Sequence, residues 1–460
     1  MNNPKDRPVS ELSTHELRAE LARREAQEHK LTDMTAIELD CEDLAGQFKD
    51  SVLQARFDAL DPEDDRPKKC PRCGRDVPVS ARARRRVVRT LAGRARLMRN
   101  YHYCRKCKHG FFPRDIELGL PDKGAISSEL ERRVLDFAIN DPFEQAAERW
   151  SMHYNFAISS NLLRRVTERV GIRAEACSER CLQHALQPTT REKPKLVVVE
   201  NDGSMLPMRD GEGWREAKLG MVTRGEKRLL GRGGQRGVVS EARYVAVIGG
   251  PDDLARSLGD ALRVERAERA ENVVWLADGA LGNWRLADRL QPGCTQILDW
   301  HHAVEHATNC AKVLLGENDS LLPIWQRRAE RLLLGGASRI IGELMDCLDE
   351  ADSPEQRVAL NDLVRYYRAN ARRMSYASYL EYGYPIASGA IESAHRHVLQ
   401  VRMKRAGQRW SVSRARRMAR LRAAYRTAGA PRLHAAIGRA AVLTHSHQTP
   451  QRNRLRASNH

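Results

Sequence analysis

Apolar and polar positions along the chain change period several times. From Ser10 to Lys30, Leu and Ala mix with Glu and Arg without alternation, which predicts a solvated helical segment. Asp61–Lys69, with two prolines and mixed charge, reads as a linker. Val87–Thr90 and Arg94–Tyr101 alternate about Gly93, the pattern of a hairpin. Residues 127–190 return to helical spacing. Within them, Pro142–Trp150 and Ser159–Val170 are two short helical patterns joined by SMHYNFAIS, compatible with a helix-turn-helix. From Lys195 the texture becomes β-rich. LVVVEND is a strand ending in acids, and Lys218–Thr223 and Arg243–Ile248 predict two more. Leu254–Glu268 reads as a helix, Asn272–Ala277 as a strand, Leu281–Leu290 as a helix and Thr295–Leu298 as a strand. Strands alternating with helices predict an α/β domain. Residues 303–375 are helical throughout, and a further helix is expected over Ala390–Arg405. The fold class expected is therefore multidomain α/β plus α.

Composition refines this picture. The 460 residues carry 78 Lys and Arg against 60 Asp and Glu, a net charge of +18, with 41% hydrophobic residues. A chain of this length can bury a core without disulfides. No apolar run approaches the roughly 18 residues of a membrane helix, and the N-terminus lacks the apolar stretch of a signal peptide. A cytoplasmic, nucleoid-associated protein with no membrane partner is expected, its ten cysteines reduced or bound to metal. The charge is segregated. Residues 66–114 carry +16 and residues 393–460 another +16, the latter without a single acid, so the remainder carries −14. Two basic segments around an acidic body point to a polyanion, most often nucleic acid.

Cys70-Pro-Arg-Cys73 and Cys104-Arg-Lys-Cys107 form two CxxC knuckles around the predicted hairpin. Four thiolates so placed suit structural Zn²⁺ in a zinc ribbon. Three acids lie at distinctive points: Asp202 after LVVVE, Asp278 after NVVWLA, and Glu392 in GAIESAHRH. Carboxylates at strand ends and on a facing helix can hold two Mg²⁺ (or Mn²⁺) ions, because hard cations prefer oxygen. Asp299 is either a helix cap beside a core histidine, His302, or part of a site. Arg396, Arg402, Lys404 and Arg405 continue the Glu392 helix, where some can face DNA phosphate. Trp410 can stack on an unpaired base or pack in a core. His302, Glu305 and His306 spell H-x-x-E-H, the inverted motif of a zinc peptidase.

The chain resembles a bacterial insertion-sequence transposase of the DDE type, of the Kra group within the Mutator-like assemblage. The residues that carry the resemblance are CPRC…CRKC, VENDGSM, VVWLADGALGNW, ILDWHHAVEH and YPIASGAIESAHRHVLQVRMKRAGQRW, in that order over about residues 65–430. The resemblance implies an RNase H-like core with Asp202, Asp278 and Glu392 as catalytic metal ligands and Asp299 and His302 as accessory residues. It also implies an all-helical insertion before the Glu392 helix. The domains expected are a helical segment and linker (1–65), the zinc ribbon (66–114) and a helical DNA-binding region (115–190). The core follows in two parts (191–302 and 376–430) around the insertion (303–375), then a basic, disordered tail (431–460). Such an enzyme would bind terminal inverted repeats and target DNA as a homodimer or higher oligomer, nick DNA and transfer the 3′-hydroxyl strand. Two alternatives stand beside it: a zinc-ribbon and helix-turn-helix regulator or inactive transposase relic, and a zinc peptidase.

Overall fold

The structure is a computed structural model. It describes residues 15, 18–19, 21–23, 33–60, 63–120, 125–154, 156–186, 192–209, 211–229, 235–429 and 432–440, of which 226–229 and 235–241 as backbone only. The chain divides into two compact units, residues 1–134 with 148–158, and residues 135–147 with 159–460.

In the first unit, α1 (Met34–Asp58) is a 25-residue helix with no buried residue, capped by Asp33. Strands β1 (Lys68–Lys69) and β2 (Asp76–Val77) form a two-stranded ladder. β3 (Val79–Thr90), β4 (Gly93–Cys104) and β5 (His109–Phe111) form an antiparallel sheet in that order. The expected hairpin is thus present and longer than its apolar alternation, because strand residues such as Arg84 and Arg85 face solvent. Only the last residues of β4 pair with β5. Side chains of α1 serve the backbone of β4 before that point. Asp50 accepts from Arg94 N at 2.8 Å, and Gln54 both accepts from Arg96 N (3.1 Å) and donates to Arg96 O (3.2 Å). A strand edge answered in this way is closed to other chains. The short helix α2 (Pro113–Glu117) carries the buried Asp115, which pairs with Arg86 at 2.7 Å and with Arg99. Two of the basic residues of this segment are therefore committed internally.

Helices α3 (Ser128–Asn140) and α4 (Phe143–His153) are each divided between the units, and α5 (Ser160–Ala176) and α6 (Glu179–Leu186) follow in the second. The second unit is built on a five-stranded mixed sheet. Its strands are β6 (Leu196–Pro207), β7 (Trp214–Leu229), β8 (Gln235–Ile248), β9 (Asn272–Ala277) and β10 (Thr295–Leu298), in the order β10-β9-β6-β7-β8. β6, β7 and β8 run antiparallel in succession, while β9 is parallel to β6 and β10 parallel to β9. The unbroken apolar run Leu196–Val199 fits a central strand covered on both faces, and all four residues are buried.

Helix α7 (Pro251–Glu265) links β8 to β9, α8 (Leu281–Leu290) links β9 to β10, and α9 (Trp300–Leu315) follows β10. Then come α10 (Leu322–Leu334), α11 (Ala337–Asp349), α12 (Pro354–Asn370) and α13 (Tyr376–Glu381). These last helices share one core with the sheet. Leu333, Ile340, Leu360 and Tyr367 bury together with Val199, Trp275, Ile297 and Trp284. The stretch expected as a helical insertion domain is amphipathic, and its apolar stripe buries in the same core as the sheet.

The Glu392 helix begins as α14 (Gly389–Ala394), passes through π-helical turns (His395–Gln400) and ends at Val401–Met403. With α15 (Val412–Ala428) it builds a second core: Leu206, Leu219, Met221 and Ile248 meet Ala394, Val398, Met403 and Met418. Residues 432–440 are helical and bury Leu433, Ala436 and Ile437. The tail expected as disordered from 431 is ordered over that stretch because these apolar residues find a core. Residues 441–460, and the expected helix over Ser10–Lys30 for the most part, lie outside the described residues. Among the described residues, no helix is long and apolar enough to cross a membrane.

Candidate active site and thiol cluster

The two CxxC knuckles come together. Cys70 N donates to Arg75 O (2.8 Å) and Gly74 N to Cys70 O (2.9 Å), closing a tight turn. Cys104 ends β4, and Cys107 lies in the turn before β5. The four sulfurs lie within 4.8 Å of one another, with Cys73 Sγ 3.7 Å from Cys104 Sγ. Tetrahedral Zn²⁺ with bonds of about 2.3 Å sets sulfur pairs about 3.8 Å apart, so the cluster can hold zinc. The thiols share protons unequally. The Arg75 backbone N–H, aided by neighbouring thiols, pulls Cys73 down to about 7, whereas Cys73 and burial push Cys107 up to about 12. Full deprotonation of four such thiols calls for a cation among them.

The acids are arranged by the sheet. Glu200 on β6 pairs in register with Leu276 on β9. Two residues further along, Asp278 stands just past the carboxyl end of β9, whereas Asp202 lies within β6, which runs on to Pro207 paired with β7; the strand expected to end in acids continues beyond them. Alternation puts Glu200 and Asp202 on the same face. Asp202 Oδ1 accepts from Gly203 N at 2.6 Å. Asp278 Oδ1 accepts from Ala280 N (3.0 Å) and Asn283 Nδ2 (2.8 Å). Asn283 in turn accepts from Asn201 (2.7 Å), whose Oδ1 receives the indole N–H of Trp275 (3.0 Å). Asp278 is thus fixed through a relay that begins in the core. Gly279 has φ +94°, and a Cβ there would meet the Tyr366 hydroxyl at 2.8 Å. Only glycine fits this turn, which lets Tyr366 donate to Asp278 O at 2.9 Å.

The Glu392 helix is held at its start by two buried carboxyls. Glu200, 1% exposed, accepts from Ile391 N at 3.2 Å. Asp299, fully buried, accepts from Ser388 N through Oδ2 and from His302 N (2.8 Å) and His302 Nδ1 (3.0 Å) through Oδ1. These amides lie at helix beginnings, where negative charge is favoured; Ile391 N is shared with Ser388 O at 3.0 Å. Asp299 is therefore the cap of α9 and also the anchor of α14. Burial pushes Glu200 up to about 8, against the Ile391 bond and with help from Asp299 and Glu392. Burial also works to raise Asp299, but the bonds from His302 and Ser388 outweigh it and hold its carboxyl low. The Asp299 contact raises His302 to about 9, against partial burial.

Glu392 itself is exposed. One turn later, His395 is 2% exposed, and neither of its ring nitrogens has a hydrogen-bond partner. Its Nε2 lies 3.5 Å from Asp202 Oδ2. The strands and the helix thus gather Asp202, Asp278, Glu200, Asp299, Glu392 and His395 at one end of the sheet. The three expected ligands are not drawn into one knot. Among the described residues, the four cysteines are the single group of three or more ligating side chains whose ligand atoms lie within 4.8 Å of one another.

Sequence reasoning missed Glu200, Asn283, Tyr366 and His395. Two of them had a sequence signature: Glu200 is two residues before Asp202 on a strand, and His395 three after Glu392 on a helix. Tyr366 had none. For the peptidase motif, His302 is engaged by Asp299, and His306 stacks on Tyr366 with centroids 4.1 Å apart. Burial lowers His306.

The expected DNA contacts divide. Arg396 and Lys404 are exposed. Arg405 donates to Gln145 Oε1 at 2.9 Å. Arg402 is 1% exposed, with its guanidinium 5.1 Å from the Phe143 ring and 5.3 Å from the Trp410 ring. Trp410 is buried and donates to Met403 O at 3.0 Å. These two residues pack in the core and do not face outward from the helix. The charge after Glu392 is also partly answered internally, since Arg417 meets Glu175 at 2.9 Å and Arg420 meets Glu179 at 3.0 Å.

Fold and site together define a multidomain α/β protein with a four-cysteine cluster and an acid-lined end to its mixed sheet. The chain belongs to the Uncharacterised protein family UPF0236, whose model matches residues 72–435. No curated protein matches it. Among solved structures it is similar to the Drosophila P element transposase strand transfer complex, at 11% identity and a TM-score of 0.35. That match covers 68% of this chain and 95% of the other.

Proposed function

We propose that the chain is a DDE transposase: it binds the terminal inverted repeats of an insertion sequence, nicks DNA and transfers the 3′-hydroxyl strand to target DNA. The observation that supports this reading is that β6 and β9 pair in register up to Glu200 and Leu276, two residues before Asp202 and Asp278, with His395 of the Glu392 helix 3.5 Å from Asp202. The sheet order, with three antiparallel strands followed by two parallel to the first, supports an RNase H-like core. The two basic segments and the cysteine cluster support a nucleic-acid partner, and two transposon ends to be joined support a dimer or larger assembly on DNA.

Asp202, Asp278 and Glu392 would hold two Mg²⁺ or Mn²⁺ ions. The hard oxygen donors fit such ions. When bound, the ions supply activation of a water or 3′-hydroxyl and neutralisation of charge at phosphorus. The protein's own work is positioning. Asn283 and the Ala280 amide set the Asp278 carboxylate, Gly203 N sets Asp202, and Glu200 and Asp299 hold the helix that bears Glu392. Phosphoryl transfer needs such positioning more than a protein base.

The test is a nicking and joining assay on DNA bearing the terminal repeats. Asp202→Asn, Asp278→Asn and Glu392→Gln should each lower activity by at least 10³-fold while leaving repeat binding within a few-fold. Full nicking by any of the three would remove that residue from the mechanism. A wild-type chain that binds but never cuts or joins would be a regulator.

A further inference from the structure

Between α5, the loop after the Glu392 helix and α15 lies a cavity of about 330 Å³, at the small end of the ligand-pocket range. Its lining is rich in arginine: Arg164, Arg209, Arg402, Arg409, Arg414 and Arg417, against Glu144 and Glu168. Glu168 is shared, lying 4.0 Å from Arg164, 3.6 Å from Arg414 and 3.7 Å from Arg417. One carboxylate is therefore shared among three guanidinium groups, of which Arg417 also meets Glu175 at 2.9 Å. Arg209 and Arg409 are exposed and have no carboxylate partner among the described residues.

Arg402 is the informative residue. It is 1% exposed and sits between the Phe143 and Trp410 rings, with Nε donating to Ala138 O at 3.3 Å. No carboxylate among the described residues pairs with it, and its NH2 nitrogen has no acceptor. A buried cation with a free donor costs several kcal/mol unless an anion answers it. Here that nitrogen belongs to a side chain lining an open, positively charged cavity.

The position of the cavity suggests the anion. Trp410 is tied to the end of β6, its N donating to Pro207 O (3.2 Å) and its O accepting from Arg209 N (2.9 Å). Pro207 is five residues beyond Asp202, or about 17 Å along a strand. Arg402 is ten residues beyond Glu392, or about 15 Å along a helix. That separation spans about four to five phosphates of a B-form strand.

We propose that this cavity is a phosphate-binding pocket, with Arg402 as its floor and Arg209, Arg409 and Arg414 as its rim, which grips the DNA backbone four to five nucleotides from the scissile position. The phosphate chemistry stands on the arginines alone, whereas the strand and its distance rest on the transposase reading.

The rim double variant Arg409→Ala/Arg414→Ala tests the pocket in the full-length chain without disturbing the core. Inorganic phosphate, compared with chloride at equal ionic strength, should raise the melting temperature of the wild type and not of the variant. For a fluorescent duplex of arbitrary sequence, the variant should bind about tenfold more weakly near 0.1 M salt. Its slope of log Kd against log salt should fall by one to two. Arg256→Ala/Arg263→Ala, on the exposed face of α7, should change neither readout. Loss of the phosphate response with DNA binding unchanged would assign the pocket to a free phosphate compound and overturn the backbone grip. No change in either readout would overturn the pocket itself. Both readouts report binding alone, so a chain that binds this way yet never cuts DNA would sink the transposase reading and leave the pocket standing.

Discussion

Asp299 ties α9 to the start of the Glu392 helix through one carboxylate, and the consequences of changing it can be separated by two substitutions. Asp299→Ala removes the cap of α9, worth about 1 kcal/mol. It also leaves the buried Ser388 N–H without an acceptor, which costs about 1–3 kcal/mol. The expected loss is therefore about 2–4 kcal/mol. Asp299→Asn keeps one capping oxygen for His302 N, sets an amide donor against Ser388 N, and removes the charge; its loss of the Ser388 bond does not change with pH. The pH-dependent part of its effect isolates the interaction with His302, whose ring is raised to about 9 in the folded chain. A raised histidine stabilises the fold fully below its unfolded value near 6.5, and that stability is lost as pH climbs through 9. Each pKa unit corresponds to about 1.4 kcal/mol. The imidazole is 36% exposed, however, so screening reduces the pair to about 1 kcal/mol. Urea unfolding at pH 6 and at pH 9.5 measures this directly. Wild type should lose about 1 kcal/mol more than Asp299→Asn between those two values, and Asp299→Ala should be destabilised at both. An Asp299→Asn chain with the wild-type pH dependence would refute the His302 assignment. An Asp299→Ala chain of wild-type stability would refute the anchoring of the Glu392 helix.

Two further outcomes follow from buried groups. Arg422, 1% exposed, donates to the carbonyls of Val398, His397 and Ile139, the last at 2.6 Å. Arg422→Leu orphans all three, and at about 1 kcal/mol or more for each hydrogen bond to a charged group should destabilise the chain by about 3 kcal/mol in chemical denaturation; a loss under 0.5 kcal/mol would show that the π turns need no such clamp. Zinc-reconstituted wild type should carry about one ion per chain, releasable by chelation and absent after Cys104→Ser. Failure of the reduced wild type to take up zinc would sink the thiol-cluster reading.

Much of the sheet was legible. The strands Asn272–Ala277 and Thr295–Leu298, and the helix Leu281–Leu290 between them, stand where apolar periodicity placed them, because each is short and presents a buried apolar side to the core. β7 and β8 extend well past their apolar stretches, since backbone pairing carries on through Arg224 and Gln235, where side-chain pattern gives no clue. At the site, Asp278 stands just past an apolar strand where the pattern placed it, whereas β6 runs on past Asp202 to Pro207 because its pairing with β7 continues. The carboxyls that hold the Glu392 helix were not legible, because they act across 191 residues in one case and 89 in the other. Arg402 shows how a periodicity argument fails. An unbroken α-helix would set it about 80° from Glu392. One additional residue in a π turn shifts the phase by about 100°, which turns Arg402 to the opposite side and into the core.

The same long-range bonds bear on the order in which the molecule becomes itself. Closing Ile391 onto Glu200 and Ser388 onto Asp299 requires nearly the whole second unit to have been made first. Contacts so distant in sequence form late, and synthesis delivers the N-terminal end first. An emerging chain therefore exposes its basic, cysteine-bearing segment long before it owns a complete set of acids. A chain halted before residue 388 has the two strand aspartates but nothing to close over them, so premature termination would leave a fragment with part of the basic surface and none of the assembled site.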